Sequence, residues 1–315
     1  MNRKNWLAVG AVTGLLILLS VVSYVYMDSF QTSGQRVNIS VVVYGSTDER
    51  WIAFRQGVDQ AASDFGALVN FVILSGTNDS EEQKEQMDRE RANGTEGMVA
   101  AVTDSHQMSG YITTMANVVP IVLVESRIER DESLPCVAAD SYKMGEELAR
   151  LIMEKEDESV PITVVQIGDN RSSRRDRLEG FRNACASAGR EVEQVVYPSR
   201  ESMSRVLESS GTQILAALDD TGLEMTVNIV GESPENRKVY GIGSSRRIVS
   251  ALDQGLIQGI VFQNEFNMGY EAVDTLIQKI RKGGAGEPKE IDYHRVTGET
   301  LHEPENERLL YPIIQ

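Results

Sequence analysis

The sequence predicts an α/β protein built as two doubly wound parallel-sheet lobes, preceded by one N-terminal transmembrane helix. Three observations predict it. From Val37 onward, short apolar runs alternate with helical patterns, the signature of βαβ units and parallel sheets. The apolar runs are near-continuous, as strands buried on both faces require. Their number exceeds one comfortable open sheet, so 315 residues fit two lobes better than one.

The elements follow in order. Met1–Asn5 precede the run Trp6–Tyr26, which carries no charge. That length spans a bilayer core as a helix, with Trp6, Tyr24 and Tyr26 at interfacial positions. Arg3 and Lys4 lie before it, so the N-terminus is expected in the cytoplasm and the rest of the chain outside. No small-residue cleavage site follows. An uncleaved anchor over 1–29 is therefore the expectation, with a cleaved signal peptide as the alternative. Beyond it, 37–45 reads as a buried strand. Residues 49–67 read as an amphipathic helix, with Trp51, Phe54, Val58, Ala61 and Phe65 at spacings of three and four. Strand 68–74, polar helix 80–93, strand 97–102, a helix through Met115, and strands 120–125 and 136–140 come next. The pattern then restarts: helix 141–155, strand 161–168, helix 173–188, strand 191–198, helix 200–209, strand 213–219, helix 221–230, strand 238–243, helix 245–254, strand 259–263 and helix 267–282.

Composition excludes several functions. The net charge of −16 argues against nucleic acid, which needs a broad basic surface. Cys136 and Cys185 make neither a disulfide scaffold nor a metal cluster, and read as small buried apolar residues. His106, His294 and His302 lack ligand spacing, so no metal is expected. No nucleophile elbow, P-loop or zincin motif is present, and "GIGSS" lacks the third glycine of a dinucleotide fingerprint. Neither an enzyme nor a cofactor is expected.

In open parallel sheets, ligands bind beyond the carboxyl ends of the strands. Those turns carry "YGSTDERW" after the first strand, "AVTDS" after the third, "PIVLVESR" after the fourth, "VAADSYKMG" at the first crossover, "RDRLEGF" opening a helix, then "AALDD", "YGIGSS" and "GIVFQNEFNMGYEAV". In this order and spacing they resemble the type 1 periplasmic binding proteins of the ribose and galactose group, whose fold also forms the effector domains of lactose-repressor-like regulators. The resemblance covers about 37–300. It implies lobes of 37–139 plus 264–292 and of 140–263 plus 293–315, closing like a hinge on a small polar ligand, a sugar, polyol or sugar derivative.

It also implies ligand contacts. Trp51 matches an aromatic that stacks on a sugar ring, with Asp48 and Arg50 as neighbouring polar contacts. Glu125 matches an acid that accepts from hydroxyls, and Arg177 an arginine that donates to ligand oxygens. Asp219 stands at an asparagine position and Gln263 at a glutamine near the hinge. Tyr44 replaces a small polar residue, Ala101 a usual asparagine, and Gly243 a key aspartate of ribose-type members. Arg127 and Asp220 add charge, so the cleft is more ionic than a simple hexose site. Arg174 is of intermediate standing, and Arg175 reads as solvated beside Asp176 and Glu179. Arg177 is expected to matter for ligand and little for ligand-free stability.

The expected function is extracytoplasmic capture of that ligand for uptake through an ABC permease. The alternative is a sensor that signals to a membrane histidine kinase. A transcription factor is excluded by the membrane span where a DNA-binding headpiece would stand.

Overall fold

The computed structural model describes residues 36–311 together with Ser20, except 46–48, 77–78, 130–132, 168–169, 198–202, 204–212, 233–236 and 285–286. The expected span 6–26 lies outside them apart from Ser20, as does the expected helix at 200–209 apart from Met203. Among the described residues, no helix is long and apolar enough to cross a membrane.

The first sheet takes β1 (Val37–Val43), β2 (Ala67–Ile73), β3 (Gly97–Ala100), β4 (Ile121–Val124), β5 (Cys136–Ala138) and β11 (Lys289–Glu290), in the order β11-β5-β4-β3-β1-β2. All its pairings are parallel. The second takes β6 (Ile162–Ile167), β7 (Val192–Tyr197), β8 (Ile214–Ala217), β9 (Lys238–Ile242), β10 (Gly259–Gln263) and β12 (Tyr293–Thr297), in the order β12-β10-β9-β8-β6-β7. Here β12 is antiparallel to β10, pairing Gly259 with Thr297 and Gln263 with Tyr293. The sequence pattern missed β11 and β12. Each lies at a sheet edge, is short or polar, and has no buried apolar run to announce it.

The helices are α1 (Ile52–Phe65), α2 (Ser80–Ala92), α3 (Ser109–Ala116), α4 (Ser141–Lys155), α5 (Ser172–Ser187), α6 (Asp220–Glu232), α7 (Arg246–Asp253), α8 (Glu265–Lys282) and α9 (Pro304–Leu310). Short polar side chains start several of them: Asp79 caps α2, Asp140 caps α4, Ser245 caps α7 and Asn264 caps α8. Two lobes result, each with its own core. Val41, Met98, Val122 and Leu276 are fully buried in the first, and Val165, Leu215, Phe181 and Ile260 in the second. The chain crosses between sheets after β5, after β10 and between β11 and β12. Cys136 lies in one lobe and Cys185 in the other; both are free and buried. Burial pushes their thiols up, to about 12 and about 11.

Helix α5 carries Arg174 and Arg177, and glycine fixes its seat. Helices α4 and α5 pack so closely that a Cβ on Gly145 would lie 2.0 Å from the Arg177 carbonyl oxygen, and one on Gly180 2.0 Å from that of Tyr142. No side chain fits there without moving the helix that carries Arg177. Gly180→Ala should therefore lower the melting temperature by several degrees, an overpacking cost of about 1–3 kcal/mol, read by thermal unfolding. An unchanged melting temperature would show that the two helices can separate freely.

Candidate functional site

Both sheets turn the carboxyl ends of their strands toward one cleft, and the switch points lie beside β1 and β6, each flanked by the two strands that follow it. The turn after β1 carries Tyr44, Arg50 and Trp51; Glu125 follows β4, Asp219 follows β8 and Asp220 opens α6; β10 ends in Gln263 with Glu265 just beyond. From the other side comes α5, with Arg171, Arg174 and Arg177 spaced by three along one face. All three are buried, at 3%, 2% and 2% exposure.

The acids and bases of the cleft meet one another. Arg50 fans its guanidinium over three carboxylates: NH2 to Glu125 at 3.2 Å, Nε to Asp220 at 3.1 Å and NH1 to Glu265 at 3.1 Å. Arg177 donates to Glu125 at 3.4 Å and to the Leu218 carbonyl at 3.1 Å. Arg174 holds Asp219 at 2.6 Å. Arg171 lays its guanidinium 3.9 Å from the centre of the Tyr44 ring, a cation–π contact, and the Tyr44 hydroxyl donates to Glu125. Several of these contacts cross from one lobe to the other, so they exist only with the lobes together.

Glu125 is the hub. Its φ of 64° is the only left-handed non-glycine backbone among the described residues; such a position costs on the order of 1 kcal/mol. Burial works to raise its pKa, but Arg50, Arg177, Arg171 and the Tyr44 hydroxyl outweigh it and hold the carboxyl at about 2. Asp219 is also lowered, with Arg174 and Arg171 overcoming its burial. Glu265 goes the other way. Burial dominates, Glu125 and Asp220 reinforce it, and Arg50 and Gln263 only partly oppose, so its carboxyl stands at about 7.

The resemblance-derived site residues divide as follows. Tyr44, Arg50, Glu125 and Arg177 come together in one network. Asp219 joins its edge through Arg174. Gln263 lies at the crossover, accepting from the Ala139 amide at 3.3 Å and donating to Glu265 at 3.1 Å. Trp51 is 1% exposed. Its indole donates to the Tyr44 carbonyl at 2.7 Å, and Tyr44 and Phe54 pack edge-on against it. Arg50 lies 4.5 Å over its ring, where a sugar was expected to stack. Asp48 lies outside the described residues. Arg175 is half-exposed and bound by Glu129 of the opposite lobe rather than by Asp176 or Glu179.

Arg171 and Glu265 were missed. Arg171 stands where a helix cap belongs but has no side-chain acceptor to cap it with; Glu265 reads as an ordinary acid in a helix first turn. The aspartate absent at Gly243 has a counterpart. A Cβ there would lie 2.8 Å from Asp220 Oδ1, and that oxygen accepts from the Ser244 and Ser245 amides at 3.1 and 3.3 Å. The carboxylate reaches the cleft from the neighbouring strand end, through space that glycine leaves free. Gly243 itself has φ +153°.

The start of α5 completes the picture. Its Ser172 amide donates to Ser105 Oγ at 2.9 Å and its Ser173 amide to Ser126 Oγ at 3.4 Å, both acceptors belonging to the other lobe. Ser126 and Ser173 hydroxyls meet at 2.8 Å, and Ser172 Oγ accepts from the Arg127 amide at 2.9 Å.

A family model described as periplasmic binding protein domain matches residues 39–285. No curated protein matches the chain. A carbohydrate transporter solute binding protein from Agrobacterium radiobacter in complex with D-arabinose superposes with a TM-score of 0.80, at 18% identity over 88% of this chain and 99% of the other. An ABC transporter solute binding protein from Agrobacterium vitis bound with alpha-D-tagatopyranose gives 0.80 and 18% over 88% and 100%. A XylFII–LytSN complex gives 0.73 and 19% over 84% and 99%. At these identities the likeness is one of fold.

Burial revises the expectation for Arg177. Arg177→Ala leaves the Glu125 carboxylate in the closed cleft without one of its cations, and the loss should be about 3–5 kcal/mol, read as a lower ligand-free melting temperature. An unchanged value would mean the lobes stand open in solution. Acid titration tests the two displaced carboxyls separately. Glu125, depressed, contributes stability above 4.5 that disappears as pH falls toward about 2. Glu265, raised, makes the protein less stable as pH climbs from 4.5 through about 7. Glu265→Gln should remove that second slope, so its melting temperature relative to wild type should rise over the same interval and level off above it.

Proposed function

The chain belongs to the periplasmic binding protein family, and from that premise we propose that it is an extracytoplasmic solute-binding protein, a binding protein rather than an enzyme. Its ligand is a carbohydrate-like small molecule taken between the two lobes, and an ABC permease is the receiver. The observation that carries this reading is the convergence of buried donors and acceptors from both lobes on one cleft. A polyhydroxyl ligand offers donors and acceptors in equal measure. It can therefore accept from Arg177 and Arg50 and donate to Glu125, Asp219 and Gln263, each bond strengthened by charge in a dry site. Solved neighbours carrying D-arabinose and alpha-D-tagatopyranose support the ligand class. Tyr44 and Trp51 act behind this set, positioning Glu125 and Arg50, and Asp48 lies beside them in sequence.

The N-terminal run 6–26 is read as an uncleaved anchor that leaves the binding lobes on the outer face of the membrane. A sensing role toward a membrane histidine kinase is the second reading. It is favoured by that anchor, since delivery to a permease needs only tethering, and by the fold shared with the protein of the XylFII–LytSN complex. The genes beside this one separate the two: permease components for uptake, a kinase and response regulator for sensing.

Thermal unfolding of the purified full chain against sugars, polyols, amino sugars and sugar phosphates tests the binding reading. A ligand at about a hundred times its dissociation constant adds about 2.7 kcal/mol, a shift of several degrees. Arg177→Lys, which keeps the charge and loses the fork, should abolish the shift. No stabilisation by any member of a broad library would sink the proposal.

A further inference from the structure

Beside the charged cleft is a second cavity of about 450 Å³. It opens between the first turn of α1, the turn into α7 and the end of α9, and so takes walls from both lobes. Ile52 and Ala53 line one side, Val249 another, and Leu310 and Tyr311 a third. Tyr311 is 45% exposed, one of three large hydrophobic side chains left exposed among the described residues. The polar end is formed by Arg50 and Glu265. Glu265 is 8% exposed. Its Oε1 accepts from Arg50 and Gln263, whereas its Oε2 is buried without a hydrogen-bond partner. A buried carboxylate oxygen left unpaired is unfavourable, and a ligand donor would remove that penalty.

We propose that this cavity is a second binding site, taking a primary ammonium on an apolar body, with the ammonium on Glu265 and the body against Ile52, Ala53, Val249, Leu310 and Tyr311. The chemistry favours a cation over a neutral donor. Among the described residues Arg50 is the only cation bound to Glu265, and it divides itself among three carboxylates. The remaining charged groups on the cavity wall are Glu49, Arg246 and Asp253, which leave the lining acidic. Glu125 and Asp220 add negative charge from behind Arg50. Such a site serves either an amine that binds alone or an amine-bearing arm of the ligand in the main cleft, and it does not depend on the carbohydrate reading.

Benzylamine, benzyl alcohol and benzoate are suitable probes, titrated onto the full chain by isothermal calorimetry. Benzylamine should bind, benzyl alcohol about tenfold or more weaker, and benzoate not at all. Because the Glu265 carboxyl stands at about 7, the benzylamine affinity should fall about tenfold for each pH unit below that value. Glu265→Gln should cost about tenfold to a hundredfold in benzylamine affinity and flatten the pH profile. Ala53→Phe, which fills the cavity from the α1 side, should abolish benzylamine binding while the carbohydrate-induced thermal shift persists. Equal binding of amine and alcohol, a flat wild-type pH profile, or amine binding that survives Ala53→Phe would each overturn the assignment. Retained amine binding in a chain that answers to no sugar would support this site and count only against the carbohydrate reading.

Discussion

Guanidinium–carboxylate pairing across the cleft is the constraint on which the rest of the structure depends. Four arginines and four carboxylates, Arg50, Arg171, Arg174 and Arg177 with Glu125, Asp219, Asp220 and Glu265, lose most of their water when the lobes meet. Each charge taken out of water alone would be prohibitive; matched and hydrogen-bonded, the set is tolerable. The match is therefore a condition of closure. A rotation that separated the lobes would return the charges to solvent, while a misregistered closure would strand several of them unpaired. The ionic set specifies one relative placement of the lobes more than it strengthens that placement.

The scaffold is organised to hold that register. Closely packed glycines seat α5 against α4, and a matching pair, Gly57 and Gly269, lets α1 and α8 approach equally closely in the other lobe. The two helices that frame the cleft thus rest on backbone contacts, which do not relax as side chains do. Arg177 inherits its position from this seat, and Glu125 accepts an unfavourable backbone conformation at the end of β4 to meet it.

Fold class was legible because parallel strands buried on both faces leave continuous apolar runs, and helices that cover them keep their periodicity. The βαβ alternation at 37–125 and 161–263 follows from those two patterns alone. The edge strands β11 and β12 were not legible, since pairing on one side asks little of composition. Within the cleft, Tyr44, Arg50, Glu125 and Arg177 were reachable through the family resemblance, whose motifs fall on the turns beyond the strands. What stayed hidden was mutual engagement. Sequence cannot say that Arg50 covers Trp51, that Arg174 is sequestered by Asp219, or that Glu129 reaches Arg175 from the other lobe. The first two depend on packing within a lobe, and the third on how the two lobes meet. Asp220 illustrates the limit: the missing acid at Gly243 is visible in the sequence, but its replacement from another strand end is visible only in space.

The first turn of α5 begins without a cap of its own and borrows hydroxyls from Ser105 and Ser126 of the opposite lobe. Hydrogen bonds weaken steeply beyond about 3.5 Å, so a partly open molecule obtains almost none of this capping. The amides at the start of α5 are then left to water, and its first turn is less secure. Contact between the lobes is thereby coupled to local order in a helix.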